Sequence, residues 1–80
     1  MALGKARVKS MPWKNNLSFN FELVNPRTGS EFRGSMANTP NNHLAFLDIR
    51  AGDTVYVRKR KRENKYETEV VRRVPGTRRG

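Results

Sequence analysis

The clearest alternation of hydrophobic and polar residues lies between Leu17 and Val24. Leucine and phenylalanine occupy every second position of this segment, and serine, asparagine and glutamate lie between them. Because successive side chains of a β-strand point to opposite faces, the pattern predicts a half-buried strand. The side chains expected to face the core are Leu17, Phe19, Phe21 and Leu23.

A turn and a second strand are predicted directly after this segment. Residues 25–29 contain a proline and a glycine where a tight turn uses a fixed or a positive φ. From Ser30 to Met36 the chain alternates again, and its less polar face includes Phe32 and Gly34. A glycine inside a strand is typical of a bulge or of a bend in a barrel.

The rest of the chain predicts a long hairpin preceded by an ambiguous segment. Residues 37–43 have the composition of a loop, and the short apolar segment 44–49 fits either a strand or a helical turn. The segments predicted after it are a turn over 50–53, a strand from Thr54 to Lys61, a turn over 62–64 and a returning strand from Lys65 to Val74.

The two ends of the chain lack this periodicity. Residues 1–16 are predicted to be a flexible basic N-terminal arm, and residues 75–80 a disordered basic tail. Residues 17–74 then form one domain of four or five short strands without a long helix. This predicts an all-β fold, a small five-stranded barrel of the OB-fold type, with an SH3-like barrel as the alternative. A chain of 80 residues supports one such domain with a thin core.

Charge narrows the choice of partner. The chain carries 17 Lys and Arg against 7 Asp and Glu, a formal net charge of +10. The cations lie mainly in residues 1–16 and 58–80, and the segment between them is nearly neutral. Such self-repulsion favours a protein that binds a polyanion. Nucleic acid is expected rather than a membrane, because no segment has the spacing of a basic amphipathic helix.

Five consecutive cations from Arg58 to Arg62, here called the cationic run, are the strongest functional signal. Both faces of a strand would be charged there, so neither face can cover a core. A solvated hairpin tip is the alternative to phosphate contact. The candidate nucleic-acid-binding residues are Lys5, Arg7, Lys9, Trp13, Lys14, Phe32, Arg33, His43, Tyr56, Arg58, Lys59, Arg60, Lys61, Arg62, Lys65, Arg72, Arg73, Arg78 and Arg79.

The aromatic candidates have alternative roles. Trp13 either stacks on a base or folds back to close one end of the barrel. Phe32 and Tyr56 fit base stacking and packing about equally, whereas Tyr66 is expected to pack. His43 is expected in a surface loop. Glu67 and Glu69 are the predicted cross-strand partners of some cations in the hairpin.

Catalysis and metal binding are not expected. The chain has no cysteine and a single histidine, and no glycine-rich phosphate loop or paired catalytic carboxylates are recognisable. We therefore expect a protein without enzymatic activity, metal or cofactor, monomeric when free and not bound to a membrane. The absence of cysteine is compatible with the cytoplasm.

Three segments within residues 19–57 form a pattern: Phe19-Asn20-Phe21-Glu22-Leu23-Val24-Asn25, then Gly34-Ser35-Met36 followed by Asn38, then Ile49-Arg50-Ala51-Gly52-Asp53-Thr54-Val55-Tyr56-Val57. In order and approximate spacing, this pattern resembles bacterial translation initiation factor one. It implies a five-stranded OB-fold. It also implies binding to the small ribosomal subunit near the decoding centre, through rRNA.

The expected function is RNA binding, in association with the ribosome and in translation. One alternative is a ribosomal structural protein whose basic ends become ordered on rRNA. Another is a non-specific DNA-binding or phage accessory protein. A third is a regulator that docks on an acidic protein surface, such as that of a polymerase.

Overall fold

Six strands and one helix make up residues 3–76, the part of the chain that the computed structural model describes, with the backbone alone described for Arg62. The elements are β1 (Gly4–Val8), β2 (Trp13–Lys14), β3 (Ser18–Val24), β4 (Glu31–Ala37), α1 (Pro40–Asp48), β5 (Thr54–Arg62) and β6 (Lys65–Arg73). The two strands of each predicted hairpin are confirmed to within one or two residues. The predicted disorder of residues 77–80 lies outside the described residues.

Five of the strands close a barrel in the order β1-β5-β6-β4-β3, and β1 pairs with β3 to complete the ring. β2 pairs with β3 on the edge that faces away from β4. All ladders are antiparallel except the contact between β4 and β6, which is parallel and pairs Ser35 with Glu69 alone. This confirms the predicted small all-β barrel of OB-fold type.

The core lies inside the barrel. Phe19, Phe21 and Leu23 are completely buried, which confirms the inward face predicted for β3. The prediction is wrong for Leu17, which precedes the first residue of β3 and is 84% exposed. The other buried apolar residues of the core cluster are Ala6, Val8, Met36, Ile49, Val55 and Val70.

The prediction of a flexible N-terminal arm is wrong for β1 and β2. Ala6 and Val8 are buried, and Lys5 and Arg7 point outward between and beside them. β1 pairs with both β3 and β5, so it is the strand that closes the barrel. Burial of its two small apolar side chains and two ladders of hydrogen bonds hold the segment in place.

A helix occupies part of the predicted loop. Thr39 caps α1, because its Oγ1 accepts a hydrogen bond from the backbone N–H of Asn42 at 3.3 Å, and Pro40 begins the first turn. The loop prediction is therefore wrong for residues 40–43, and the ambiguous apolar segment is helical through Asp48. Phe46 stacks on Phe19 with ring centroids 4.3 Å apart, which seats α1 against the core.

Gly34 is a close-packing position rather than a bulge. The β3–β4 ladder is regular through Gly34, and the register shift of the barrel lies between Tyr56 and Val57 instead. A Cβ atom at Gly34 would lie 2.7 Å from Leu23 Cδ1 and 2.9 Å from Val70 Cγ2. Both distances are shorter than van der Waals contact, so only glycine fits here without movement of the core.

We expect Gly34→Ala to destabilise the protein by about 1–3 kcal/mol, because the added methyl group overpacks the core. The measurement is the midpoint of urea unfolding. Gly4→Ala is the matched control, since its Cβ would lie 3.5 Å from Val57 Cγ2, an ordinary contact. Equal unfolding midpoints for the two variants would contradict this account of Gly34.

Candidate nucleic-acid interface

The cationic run lies on a hairpin that projects past the core. Lys59 and Lys61 lie on one face of β5, and Arg58 and Arg60 lie on the other. All four side chains are exposed, so the prediction that the run covers no core is confirmed for them. A two-residue turn joins the strands, with Glu63 at a φ of 55°.

Glu69 holds two of these cations. Its carboxylate accepts hydrogen bonds from Arg58 Nε and from Arg60 Nη1, the second at 3.4 Å. This confirms the predicted cross-strand partner role of Glu69, and Glu67 stands opposite Arg60 in the ladder. Exposed ion pairs of this kind contribute about 0–1 kcal/mol to stability. Their larger effect is to fix where the two guanidinium groups lie.

A groove of about 680 Å³ runs along the outer surface of β3 and β4 to the edge of β6. It exists because β4 and β6 pair at one position only and separate towards the hairpin turn. Its central lining is uncharged and polar, with Ser18, Asn20 and Ser35 on adjacent strands. Arg33 and Arg60 bring two positive charges to the same groove, and Glu67 and Glu69 on β6 bring two negative charges. We call this site the β3–β4 groove.

Tyr66 lines the β3–β4 groove and is 70% exposed. The sequence prediction that it packs is wrong, because Tyr66 lies near the start of β6, before the strand reaches the core at Val70. Tyr66 pairs with Lys61 in the hairpin, beside the cationic run. An exposed aromatic ring next to cations can stack on a nucleic-acid base. The register of the predicted hairpin, which places Tyr66 opposite the cationic run, could have identified this residue from the sequence.

Trp13 lies beside the groove on the outside of the barrel. It pairs with Asn20 in the β2–β3 ladder and is 40% exposed. The Arg33 guanidinium lies 5.8 Å from the centroid of the ring. The alternative in which Trp13 closes one end of the barrel is therefore wrong, and base stacking stays a prediction.

Phe32 and His43 do not belong to this groove. Phe32 pairs with Leu23, is half-buried and packs against the core, so packing is its observed role. His43 lies in α1 rather than in a loop, and its ring meets the edge of Phe19 at 6.0 Å between centroids. Both support the barrel, and contact of either side chain with nucleic acid stays a prediction.

Tyr56 lies on a separate face of the barrel. It pairs with Lys5 across β1 and with Arg72 across β6. Lys5 Nζ lies 5.9 Å from the centroid of the tyrosine ring, and the Arg72 guanidinium lies 4.8 Å from it. The three side chains thus form one row on the outside of β1, β5 and β6, with Arg7 exposed further along β1.

Two further predicted cations are engaged by acids. Lys9 Nζ lies 2.8 Å from Glu31 Oε1, and this hydrogen bond and the charge of Glu31 raise the pKa of Lys9 above its usual value. Arg73 Nε lies 2.8 Å from Asp48 Oδ2 and so ties β6 to α1. Lys14 and Lys65 are exposed, and Arg62 ends β5. Arg78 and Arg79 lie outside the described residues.

Other classes of site find little support in residues 3–76. No group of three or more histidine, aspartate and glutamate side chains in that range is placed to hold a metal ion. No helix in the same range is long and apolar enough to cross a membrane.

Comparisons of the chain with protein-family models, curated proteins and solved structures find no match in any of the three. The resemblance of residues 19–57 to initiation factor one thus stays a prediction.

The pairing of Lys9 predicts unequal contributions from two lysines. A phosphate must compete with Glu31 for Lys9, whereas Lys14 is in no ion pair with the described residues. We expect Lys14→Gln to weaken polyanion binding more than Lys9→Gln, measured by fluorescence anisotropy with a short RNA at low salt. Glu31→Gln should increase the contribution of Lys9. Equal losses for the two lysine variants would contradict this ranking.

Proposed function

We propose that this chain binds single-stranded RNA in the β3–β4 groove. The observation that carries the proposal is the presence, in one groove, of an exposed aromatic ring, two arginines and a neutral polar floor, with Glu67 and Glu69 as counter-charges on the β6 edge. The ring is Tyr66, the arginines are Arg33 and Arg60, and Trp13 lies alongside. These are the parts that single-strand-binding proteins combine: stacking surfaces and cations that follow the backbone.

The position of the groove in the barrel supports the same proposal. β3 and β4 are the second and third strands of the closed barrel, and the hairpin turn joins the last two. OB-folds bind oligonucleotides on the face of their second and third strands and on the loops next to it. The loop before β3 borders the groove. Asn15 Oδ1 fixes the shape of this loop by accepting hydrogen bonds from the backbone N–H groups of Leu17 and Ser18, each at 2.9 Å.

The groove floor favours RNA over DNA. Ser18, Asn20 and Ser35 offer hydroxyl and amide groups, which can hydrogen-bond to base edges and to the ribose 2′-hydroxyl. A wholly cationic floor would favour any polyanion equally. On the partial resemblance to initiation factor one, we further propose that the RNA is rRNA of the small ribosomal subunit. The chain would then act in translation, without catalysis, in the cytoplasm.

The test is a comparison of three ligands of equal length by fluorescence anisotropy: single-stranded RNA, single-stranded DNA and duplex DNA. We expect the tightest binding to single-stranded RNA, with log K falling linearly as log salt rises because phosphate contacts release counterions. Equal affinity for all three would favour the non-specific DNA-binding alternative. No binding even at the lowest salt would refute nucleic-acid binding altogether.

Stacking predicts a specific loss on aromatic truncation. We expect Tyr66→Ala and Trp13→Ala each to weaken binding of single-stranded RNA by about 1–3 kcal/mol without changing the salt slope, because stacking involves no phosphate. Leu44→Ala is the matched control: Leu44 is an apolar side chain on α1, 74% exposed and outside the groove. An equal loss in the Leu44 variant would show that the groove is not the binding site.

Association with the ribosome needs a separate measurement. A tagged chain is sedimented with ribosomal subunits from its host, with and without prior nuclease treatment. Cosedimentation with intact small subunits, reduced in Tyr66→Ala, is the expected result. Nuclease-resistant association with one protein would instead support the regulator that docks on an acidic protein surface.

A further inference from the structure

The outer face of β1, β5 and β6 carries a second concentration of positive charge. Lys5, Tyr56 and Arg72 form one row across the three strands, and Arg7 is exposed further along β1. None of the four lines the β3–β4 groove. The groove lies on β3, β4 and the first half of β6, whereas this face lies on β1, β5 and the last residues of β6.

Within residues 3–76, no ion pair compensates the charges of this face. Glu69, Glu31 and Asp48 engage Arg58, Arg60, Lys9 and Arg73 elsewhere on the barrel. Among residues 3–76, by contrast, no acidic side chain forms an ion pair with Lys5, Arg7 or Arg72. The cations are held instead by the ring of Tyr56, at 5.9 Å from Lys5 and 4.8 Å from Arg72.

Two cations gathered at one ring repel each other, and exposed cation–π contacts offset this repulsion only in part. An anion beside the row would relieve the repulsion. A phosphate fits that requirement, because lysine, arginine and tyrosine side chains all donate hydrogen bonds to phosphate oxygens. The ring itself is already in contact with cations, so this face suits the backbone of a nucleic acid better than its bases.

We propose that Lys5, Arg7, Tyr56 and Arg72 form a second nucleic-acid site that binds the sugar–phosphate backbone without reading the bases. The inference rests on the proposed function, because the first strand is held in the β3–β4 groove. The two sites share no lining residue, so the two strands would occupy different parts of the barrel surface. The protein would thus bridge two segments of RNA.

The experiment uses two RNA oligonucleotides of about six nucleotides, within the roughly 4–16 that one OB-fold occupies. One carries a fluorescence donor and the other an acceptor. We expect the full chain to bind two oligonucleotides per molecule and to give energy transfer between them. Binding of a single oligonucleotide per molecule, without energy transfer, would overturn the second site.

Two double variants distinguish the loss of the second site from a general effect of net charge. Lys5→Glu with Arg72→Glu should abolish the energy transfer and leave one binding event. Arg27→Glu with Arg50→Glu is the matched control, because it changes net charge equally at exposed positions in two turns outside both sites. If the control pair loses energy transfer as fully, the effect is one of net charge and the proposal fails.

A second pair of substitutions keeps the test decisive if the charge-reversal variant fails to fold. Lys5→Gln with Arg72→Gln removes two charges, and it should lower the salt slope of the second binding event by about 1.4, or about 0.7 for each phosphate contact to a single strand. An unchanged slope would overturn the site. Tyr66→Ala tests the groove in the same titration: if it leaves both binding events intact, the groove proposal fails while the second site stands.

Discussion

The parallel contact between β4 and β6 is the constraint on which the rest of this structure depends. It consists of one paired position, Ser35 with Glu69, and is close because Gly34 has no side chain to separate Leu23 from Val70. Closure at a single position completes the core of a thin barrel. It also lets β4 and β6 part immediately beyond, and their separation creates the groove. Packing and the candidate binding site therefore have one origin.

Within residues 3–76, the positions of the acidic residues determine which cations are in an ion pair and which are not. The chain has few acids, and Glu69 lies on the boundary between the groove and the hairpin, where it fixes Arg58 and Arg60. These guanidinium groups keep exposed edges, so the carboxylate positions them without burying them. Lys5 and Arg72 have an aromatic ring in place of a carboxylate, and no acid of residues 3–76 forms an ion pair with either. Net charge predicts a polyanion as partner, and the placement of acids distinguishes paired from unpaired cations in that range.

The sequence predicts the parts of the fold whose signals are local. The alternation at Phe19 and Phe21 was sufficient for β3, and the cationic run was sufficient for an exposed hairpin. β1 was missed because its inward residues, Ala6 and Val8, are small and lie between cations that dominate the composition. α1 was missed because the asparagines around Thr39 give its first turn the composition of a loop. The groove could not be predicted at all, since it depends on where β4 and β6, distant in sequence, separate.

The double pairing of β1 also sets an order of events during synthesis. β1 contacts β5 through residues such as Gly4 and Val57, which are separated by most of the domain. Contacts of such long sequence separation form slowly, because the intervening chain must first lose its freedom. While the chain emerges from the ribosome, Phe19 and Phe21 have Phe46 of α1 beside them but lack the rest of their cover until β5 and β6 have been made. The newborn protein is thus most exposed to aggregation before its most cationic segment has been made.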